Sequence, residues 1–137
     1  MRSFVLMIGA GFLATAPAHA QDAAAGAKVF AQCKACHQIG ENAKNAVGPV
    51  LNGLFGSQVA LANGNVVTAD ATYIRESILN PTAKVVQGYA PIMPTFQGQV
   101  SEEQLLALIE YIKSLPTGTS APGASTPGPA VPTGQVK

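Results

Sequence analysis

The apolar positions of the chain fall into three helical registers separated by long irregular stretches. The last register is the clearest. Leu105, Leu108, Ile109, Ile112 and Leu115 recur at helical spacing, which gives one face of a helix an apolar stripe that must be buried. Ser101 and Gln104 form a capping box at its start, Glu102 and Glu103 suit the positive end of its dipole, and Pro116 stops it. An alanine-rich stretch from Ala23 to about Gln32 predicts a first helix with Gly26 and Phe30 at i, i+4. A lone glycine there marks either the close approach of another helix or tolerance near a fraying end. The natural partner for the C-terminal stripe is this Gly26/Phe30 helix. A middle helix starts at Asp70 as N-cap, carries Ile74 and Ile78 as a stripe with Leu79 beside it, and ends at Asn80-Pro81.

Between these helices the pattern is punctuated rather than periodic. From Gln38 to Val67, Gly40, Gly48, Pro49, Gly53, Gly56 and Gly64 interrupt the chain, in the manner of a segment that wraps an embedded ligand. Gly48-Pro49 with Leu51 and Leu54 predicts a turn followed by apolar contacts. Val59 to Val67 alternates loosely around Asn63-Gly64, the signature of a short β-hairpin. Thr82 to Gln99 is again loop and holds Tyr89-Ala90-Pro91-Ile92-Met93-Pro94. The fold class is therefore all-α, with one short hairpin.

The two ends differ from this middle. Arg2, the apolar run Phe4 to Ala14 and the Ala18-His19-Ala20 site read as a signal peptide spanning residues 1–20, cleaved after Ala20. The run is shorter than the roughly 20 residues that span a bilayer, so no integral membrane anchor is expected. Cys33 lies too far along to be a lipid-modified cysteine at the processing site. Residues 116–137 contain 15 Pro, Gly, Ser or Thr among 22, with Val131 and Val136 the only sizeable apolar side chains. Such a tail cannot bury enough surface to offset its chain entropy and is expected to be disordered. The ordered domain is then residues 21–115, small enough for a marginal core. Without Arg2, seven basic residues face seven acidic ones, which argues against nucleic acid or an anionic membrane as main partner.

The candidate chemistry sits in Cys33-Lys34-Ala35-Cys36-His37. Two thiols three positions apart with a histidine next in line form the attachment motif of a c-type haem. On one helical turn both sulfurs face the same porphyrin edge, and the imidazole can swing under the iron as proximal ligand. A structural zinc site would need about four ligands, a disulfide is sterically poor across one turn, and a thioredoxin-like pair would accompany a βαβ pattern that the chain lacks. Beyond the signal peptide the chain keeps one histidine, His37, and one methionine, Met93. Methionine is ordinarily core filler. Here Pro91 and Pro94 stiffen the loop on both sides, which favours Met93 as the second axial ligand.

Taken together, these residues resemble class I monohaem c-type cytochromes over nearly all of residues 21–115. The likeness rests on the Gly26/Phe30 helix, the Cys33-to-His37 motif, the Gly48-Pro49-Val50-Leu51 loop, Met93, and a last helix with Leu108 and Tyr111. It implies a small cytochrome c fold in which crossed terminal helices enclose one covalent haem, and it supports the close-approach role of Gly26. It also implies that the Pro49 carbonyl accepts a hydrogen bond from His37. The segment Tyr73 to Leu115, above all Tyr89 to Phe96, is most similar to the cytochrome domain fused to subunit II of some haem-copper oxidases. This chain lacks that protein's transmembrane hairpin and copper domain, so a free-standing relative or a small subunit of a complex is expected.

The resemblance implies haem c, one per chain, bound through Cys33 and Cys36, with His37 and Met93 on the iron. A six-coordinate haem leaves no open position for substrate, so the expected role is single-electron carrier in a respiratory chain, not enzyme. Its partners would be a quinol-oxidising complex as donor and a terminal oxidase as acceptor, in the periplasm, where such haem attachment takes place. A haem enzyme or gas sensor would need Met93 displaced, and a peroxidase would want a second histidine. Tyr89 is read as a packed aromatic, or as a donor to a propionate or the methionine sulfur. Arg75 and Lys84 are read as solvated charges, with a propionate partner as the alternative. Lys28, Lys34, Lys44 and Lys84 against Glu102, Glu103 and Glu110 make either a guiding dipole or an ordinary mixed surface.

Overall fold

A computed structural model describes residues 18–117. Of the predicted signal peptide only Ala18 to Ala20 fall within it, and of the predicted tail only Pro116 and Thr117. The rest of both lies outside the described residues. Three helices, α1 (Ala18–Val29), α2 (Ala71–Leu79) and α3 (Glu102–Lys113), accompany a hairpin of β1 (Gln58–Ala60) and β2 (Val66–Thr68). The all-α expectation holds, and so does the hairpin.

Helix α3 begins where the capping box predicts. The Ser101 hydroxyl accepts from the Gln104 N–H at 3.1 Å, and the Gln104 side chain accepts from the Ser101 N–H at 2.9 Å. It buries Leu105, Ala107, Leu108, Ile109 and Ile112. Helix α2 starts at Asp70, whose carboxylate accepts from the Tyr73 N–H at 2.7 Å, and it buries Tyr73, Ile74 and Ile78. Helix α1 departs from expectation at both ends: it begins at Ala18 and gives way to a 3₁₀ turn at Phe30–Gln32. An alanine-rich run carries no stop or start signal of its own, so its ends are set by what it packs against.

The most extensive contact between elements is α1 on α3. Gly26 makes it close. A Cβ there would overlap the Ala107 carbonyl oxygen and lie 2.7 Å from the Tyr111 Cβ. One turn on, the Phe30 ring, fully buried, meets Tyr111 at 5.4 Å between centroids and 55° between planes, the tilted geometry that aromatic quadrupoles favour. The close-approach role of Gly26 is thus realised, with Ala107 and Tyr111 as neighbours, while Leu108 turns into the core.

In the hairpin Val59 pairs with Val67 and Gln58 with Thr68. Its turn is closed by Asn63, whose side chain accepts from the Asn65 N–H at 3.0 Å, and by Gly64 at φ 86°. Two long-range devices tie the rest together. Residues 85–87 are laced to the hairpin by Ala62 N–H to Val85 O and Gln87 N–H to Ala60 O, each 2.9 Å. Arg75 of α2 grips Glu102 of α3 through two hydrogen bonds of 2.6 Å. The core then runs from Phe30 through Leu51, Val59, Leu61, Tyr73, Ile74 and Ile78 to Leu105, Leu108 and Ile112. Among the described residues no helix is long and apolar enough to cross a membrane.

Candidate functional site

Cys33 and Cys36 sit on a tight turn directly after the 3₁₀ turn Phe30–Gln32 that follows α1. The Cys33 carbonyl accepts from the N–H groups of both Cys36 (3.1 Å) and His37 (2.9 Å). That winding brings the two sulfurs to one face, as the spacing predicts. Both are half-buried and unpaired with each other. Burial pushes the Cys33 thiol up from its ordinary value, and Cys36 adds to the shift.

His37 is held by its far side. Its Nδ1 lies 2.8 Å from the Pro49 carbonyl oxygen. A carbonyl can only accept, so Nδ1 carries the proton. Burial lowers the imidazole pKa, with the Pro49 bond pulling the other way, so the ring is neutral at pH 7. A neutral ring protonated at Nδ1 leaves the Nε2 lone pair free for a metal.

The loop that presents Pro49 is built for this approach. The Gly48 N–H donates to the Cys36 carbonyl at 2.9 Å, the Asn45 side chain accepts from Val50 N–H at 3.1 Å, and the Gln38 carbonyl accepts from Leu51 N–H at 3.3 Å. Gly48 lies flat against the imidazole: a Cβ there would sit 2.6 Å from His37 Cε1, 2.9 Å from Nδ1 and 3.0 Å from Nε2. Asn52, only 1% exposed, clamps Gly40 by accepting from its N–H (3.0 Å) and donating to its carbonyl (2.7 Å). Sequence pattern assigned neither role. Gly48 reads from the sequence only as a turn residue, and Asn52 is polar within an apolar run, the one signal that points to it.

These groups open onto one cavity, with about 1270 Å³ of free space including its mouth. Its walls are largely apolar. Cys33, Cys36 and His37 line it together with Met93, and Pro49, Ile74, Ile78 and Leu108 contribute further wall. The Met93 segment is fastened to the end of α2: Thr95 Oγ1 donates to the Leu79 carbonyl at 2.6 Å and Phe96 N–H to the Ile78 carbonyl at 3.1 Å. Cys33, Cys36, His37 and Met93 are therefore brought to one cavity.

The other candidates divide. Tyr89 lines the cavity, and its phenol is pushed up by burial. Arg75 is exposed and committed to Glu102, in keeping with a charge on a solvated face. Lys84 borders the cavity and pairs with Glu76 at 2.9 Å. Among the described residues no group of three His, Cys, Asp or Glu side chains could hold a bare metal ion. The donors fit a metal that brings its own planar ligand. Paired thiols on one face, a free Nε2 and a large apolar cavity with Val47 and Ile92 exposed at its edge suit an iron porphyrin.

Comparison with known proteins agrees with this geometry. A family model described as cytochrome c matches residues 23–116. Cytochrome c2 of Blastochloris viridis is 42% identical over 122 residues, covering 82% of this chain and 93% of that protein. Cytochrome c-554 of Methylosinus trichosporium is 42% identical over 99 residues, covering 66% and 74%. Cytochrome c-550 of Ancylobacter novellus is 35% identical over 106 residues, covering 66% and 92%. A solved structure of cytochrome c2 from Rhodospirillum centenum matches with a TM-score of 0.54 over 69% of this chain and 98% of that one. At 22% identity that match speaks to the fold alone.

The fold, with paired thiols and a histidine following the first helix, is that of the class I monohaem cytochromes c. The chain belongs to that family, among relatives named cytochrome c2 and c-550. It carries haem c through two cysteines, Cys33 and Cys36, and works as a single-electron carrier between redox proteins, without enzymatic activity.

Proposed function

We propose that His37 and Met93 are the two axial ligands of this haem, and that the carrier takes electrons from a quinol-oxidising complex and passes them to a terminal oxidase. The observation that carries the ligand assignment is the 2.8 Å bond from His37 Nδ1–H to Pro49, which fixes the tautomer with Nε2 available. Met93 supports it as the remaining soft donor on the same cavity, on a segment pinned at Thr95 and Phe96. Bound there, haem supplies a one-electron Fe(II)/Fe(III) couple, and methionine ligation raises its potential.

The protein's part is to keep that couple rigid and dry. Pro49 prevents the imidazole from rotating, Gly48 lets the loop close over it, and the walls of Ile74, Ile78 and Leu108 exclude water. His37 and Met93, both on tethered segments, would hold the haem so that little rearrangement accompanies electron transfer. An oxidase as acceptor rests on the sequence resemblance of Tyr89 to Phe96 to the cytochrome domain fused to oxidase subunit II; the relatives named above are cytochromes c2, c-554 and c-550 instead. The signal-peptide pattern of residues 1–20 supports export to the periplasm with cleavage after Ala20, leaving residues 21–115 as the folded domain and 116–137 as its tail.

Absorption spectra of the exported protein, oxidised and reduced, with and without carbon monoxide, test the ligand set. A low-spin covalent haem indifferent to carbon monoxide, with an Fe(III)–sulfur band that Met93→Ala abolishes, is expected. Ready carbon monoxide binding by the unaltered protein would refute the assignment.

A further inference from the structure

Of the six asparagines in the chain, two precede a glycine, Asn52 and Asn63. An Asn-Gly step is chemically labile, because the glycine amide nitrogen, unshielded by a Cβ, can attack the asparagine side-chain carbonyl carbon. Asn80 is exempt, since Pro81 brings no N–H, and Asn42, Asn45 and Asn65 precede residues whose side chains crowd the attack. The fold treats the two Asn-Gly steps differently. Asn52 is buried, and its side chain is engaged at both ends: Oδ1 accepts from the Gly40 N–H at 3.0 Å and Nδ2 donates to the Gly40 carbonyl at 2.7 Å. It cannot turn toward the Gly53 nitrogen without breaking both bonds. Asn63 is exposed at the hairpin tip. Its Oδ1 accepts from the Asn65 N–H at 3.0 Å, an Asx turn that curls the side chain over the intervening Gly64 amide and polarises the carbonyl carbon. Gly64 has φ 86° and nothing within 4 Å of an added Cβ. One bond restrains the attack, from the Gly64 N–H to the Leu61 carbonyl at 2.9 Å, in a turn that solvent reaches.

We propose that Asn63 is a site of spontaneous modification in the folded protein, and that Asn52 is kept inert by its clamp on Gly40. The Gly64 nitrogen gives its proton to solvent base and bonds to the Asn63 side-chain carbonyl carbon. The side-chain nitrogen takes up a proton and leaves as ammonia, closing a succinimide ring. One water then opens the ring at either carbonyl, giving aspartate or isoaspartate, so that one water is consumed, one ammonia is released and nothing is oxidised or reduced. Isoaspartate runs the main chain through the side-chain carbon and lengthens it by one methylene, inside a turn whose closure depends on the Leu61 N–H meeting the Asn65 carbonyl at 2.8 Å. The adjoining bonds, Ala62 N–H to Val85 O and Gln87 N–H to Ala60 O, tie the hairpin to the stretch that leads into the Met93 segment. Isoaspartate therefore loosens a tether of the cavity wall, whereas aspartate adds only a charge.

The test incubates the full-length, haem-loaded protein at mildly alkaline pH, both folded and unfolded in urea. Each asparagine is followed by peptide mapping with mass spectrometry, and the aspartate and isoaspartate peptides are separated by chromatography. In urea Asn52 and Asn63 should convert at similar rates. In the folded protein Asn52 should slow by more than about tenfold, tenfold being about 1.4 kcal/mol of local opening, while Asn63 stays within about threefold of its rate in urea. Asn63→Ser, which keeps an oxygen for the Asn65 N–H, should abolish conversion at the tip. The aged isoaspartyl form should exchange its Ala62 and Gln87 amides faster than the fresh protein, and Asn63→Asp should not. Folded protein in which Asn63 is as slow as Asn52, or in which both convert as fast as in urea, would overturn the assignment. Conversion at Asn63 with unchanged exchange at Ala62 and Gln87 would refute the loosened tether.

Discussion

Replacing Gly48 by alanine puts the smallest side chain against the face of His37. The new Cβ would lie 2.6 Å from His37 Cε1 and 2.9 Å from Nδ1, where ordinary contact begins at 3.4 Å. About 0.8 Å must be found at the tightest point, either by the ring or by the loop. The loop is fastened at Gly48 N–H to Cys36 O, Val50 N–H to Asn45 Oδ1 and Leu51 N–H to Gln38 O, so the imidazole gives way first. Tilting it away weakens its 2.8 Å bond to Pro49. Overpacking costs typically about 1–3 kcal/mol and a lost hydrogen bond about 0.5–1.5 kcal/mol. Together they predict a loss of roughly 2–4 kcal/mol.

A second readout separates this from general damage. The Nδ1–H bond makes the imidazole a stronger donor to metal, so its loss should weaken stabilisation of Fe(III) and raise the reduction potential. Gly64→Ala serves as control. Gly64 has φ 86° in the hairpin turn with nothing within 4 Å of an added Cβ, so it should lose about 1–2 kcal/mol through backbone strain and leave the potential alone. Denaturant unfolding of the haem-loaded variants, followed in the haem absorption, gives the first quantity, and a redox titration gives the second. If Gly48→Ala matched the unaltered protein in both, the close approach of Gly48 to His37 would be of no consequence and the argument would fail.

Gly26→Val forces α1 off the Ala107 carbonyl, where only backbone and the Tyr111 Cβ could yield; a loss above about 4 kcal/mol is expected, seen as failure to accumulate haem-loaded protein, and an ordinary yield would refute it. Asn52→Ala leaves the Gly40 N–H and carbonyl without their side-chain partner and should cost about 2–4 kcal/mol, measured as a lower unfolding midpoint with little change in potential. Arg75 holds the Glu102 carboxyl below its usual range. The pair's contribution is therefore present above the unfolded carboxylate value and lost as pH falls through the folded one. Glu102→Gln should remove that part of the acid dependence and leave the neutral-pH spectrum unchanged. Lys28, Lys34 and Lys44 make no ion pair among the described residues, whereas Lys84 and Lys113 are committed to Glu76 and Glu110. If the three free lysines steer docking, electron-transfer rates with an acidic partner should fall as salt rises, and a flat salt dependence would leave them an ordinary surface.

Those predictions rest on features of unequal legibility in the chain. Helices α2 and α3 could be read because their signals are local: Asp70 and Ser101 cap them, Asn80-Pro81 and Pro116 close them, and the apolar stripe between is periodic. The hairpin was legible from Asn63-Gly64 for the same reason. Cys33, Cys36 and His37 announce themselves by spacing, and Met93 by the prolines that bracket it, Pro91 and Pro94. The ends of α1 were not legible, because a run of alanines carries no boundary. Nor were the roles of Gly48 and Asn52. Each depends on a partner that the fold brings in from elsewhere: Gly48 meets His37, and Asn52 reaches back to Gly40. No periodicity within a segment encodes a contact between segments.

The irregular stretches are where that dependence becomes functional. A cavity enclosed by helices alone could offer an imidazole only the free carbonyls at helix C-termini. Residues 38–57 and 82–99 bring other groups to the cavity because their backbone polar groups are satisfied one at a time by named partners, Asn45 and Asn52 in the first stretch and Thr95 and the hairpin edge in the second. Loops held in this way are as fixed as helices while their side chains and carbonyls remain free to face a ligand. The two stretches bear the Pro49 carbonyl and the Met93 side chain, so on the proposed ligand set anchoring of the loops should limit how far the site moves between oxidation states. Substitutions at Asn52 or Thr95 should accordingly loosen the cavity before they unfold the helices, visible as faster amide exchange in residues 38–57 or 82–99 while α1 and α3 stay protected. Uniform exchange across the loops and helices in those variants would show instead that the whole domain opens as one unit.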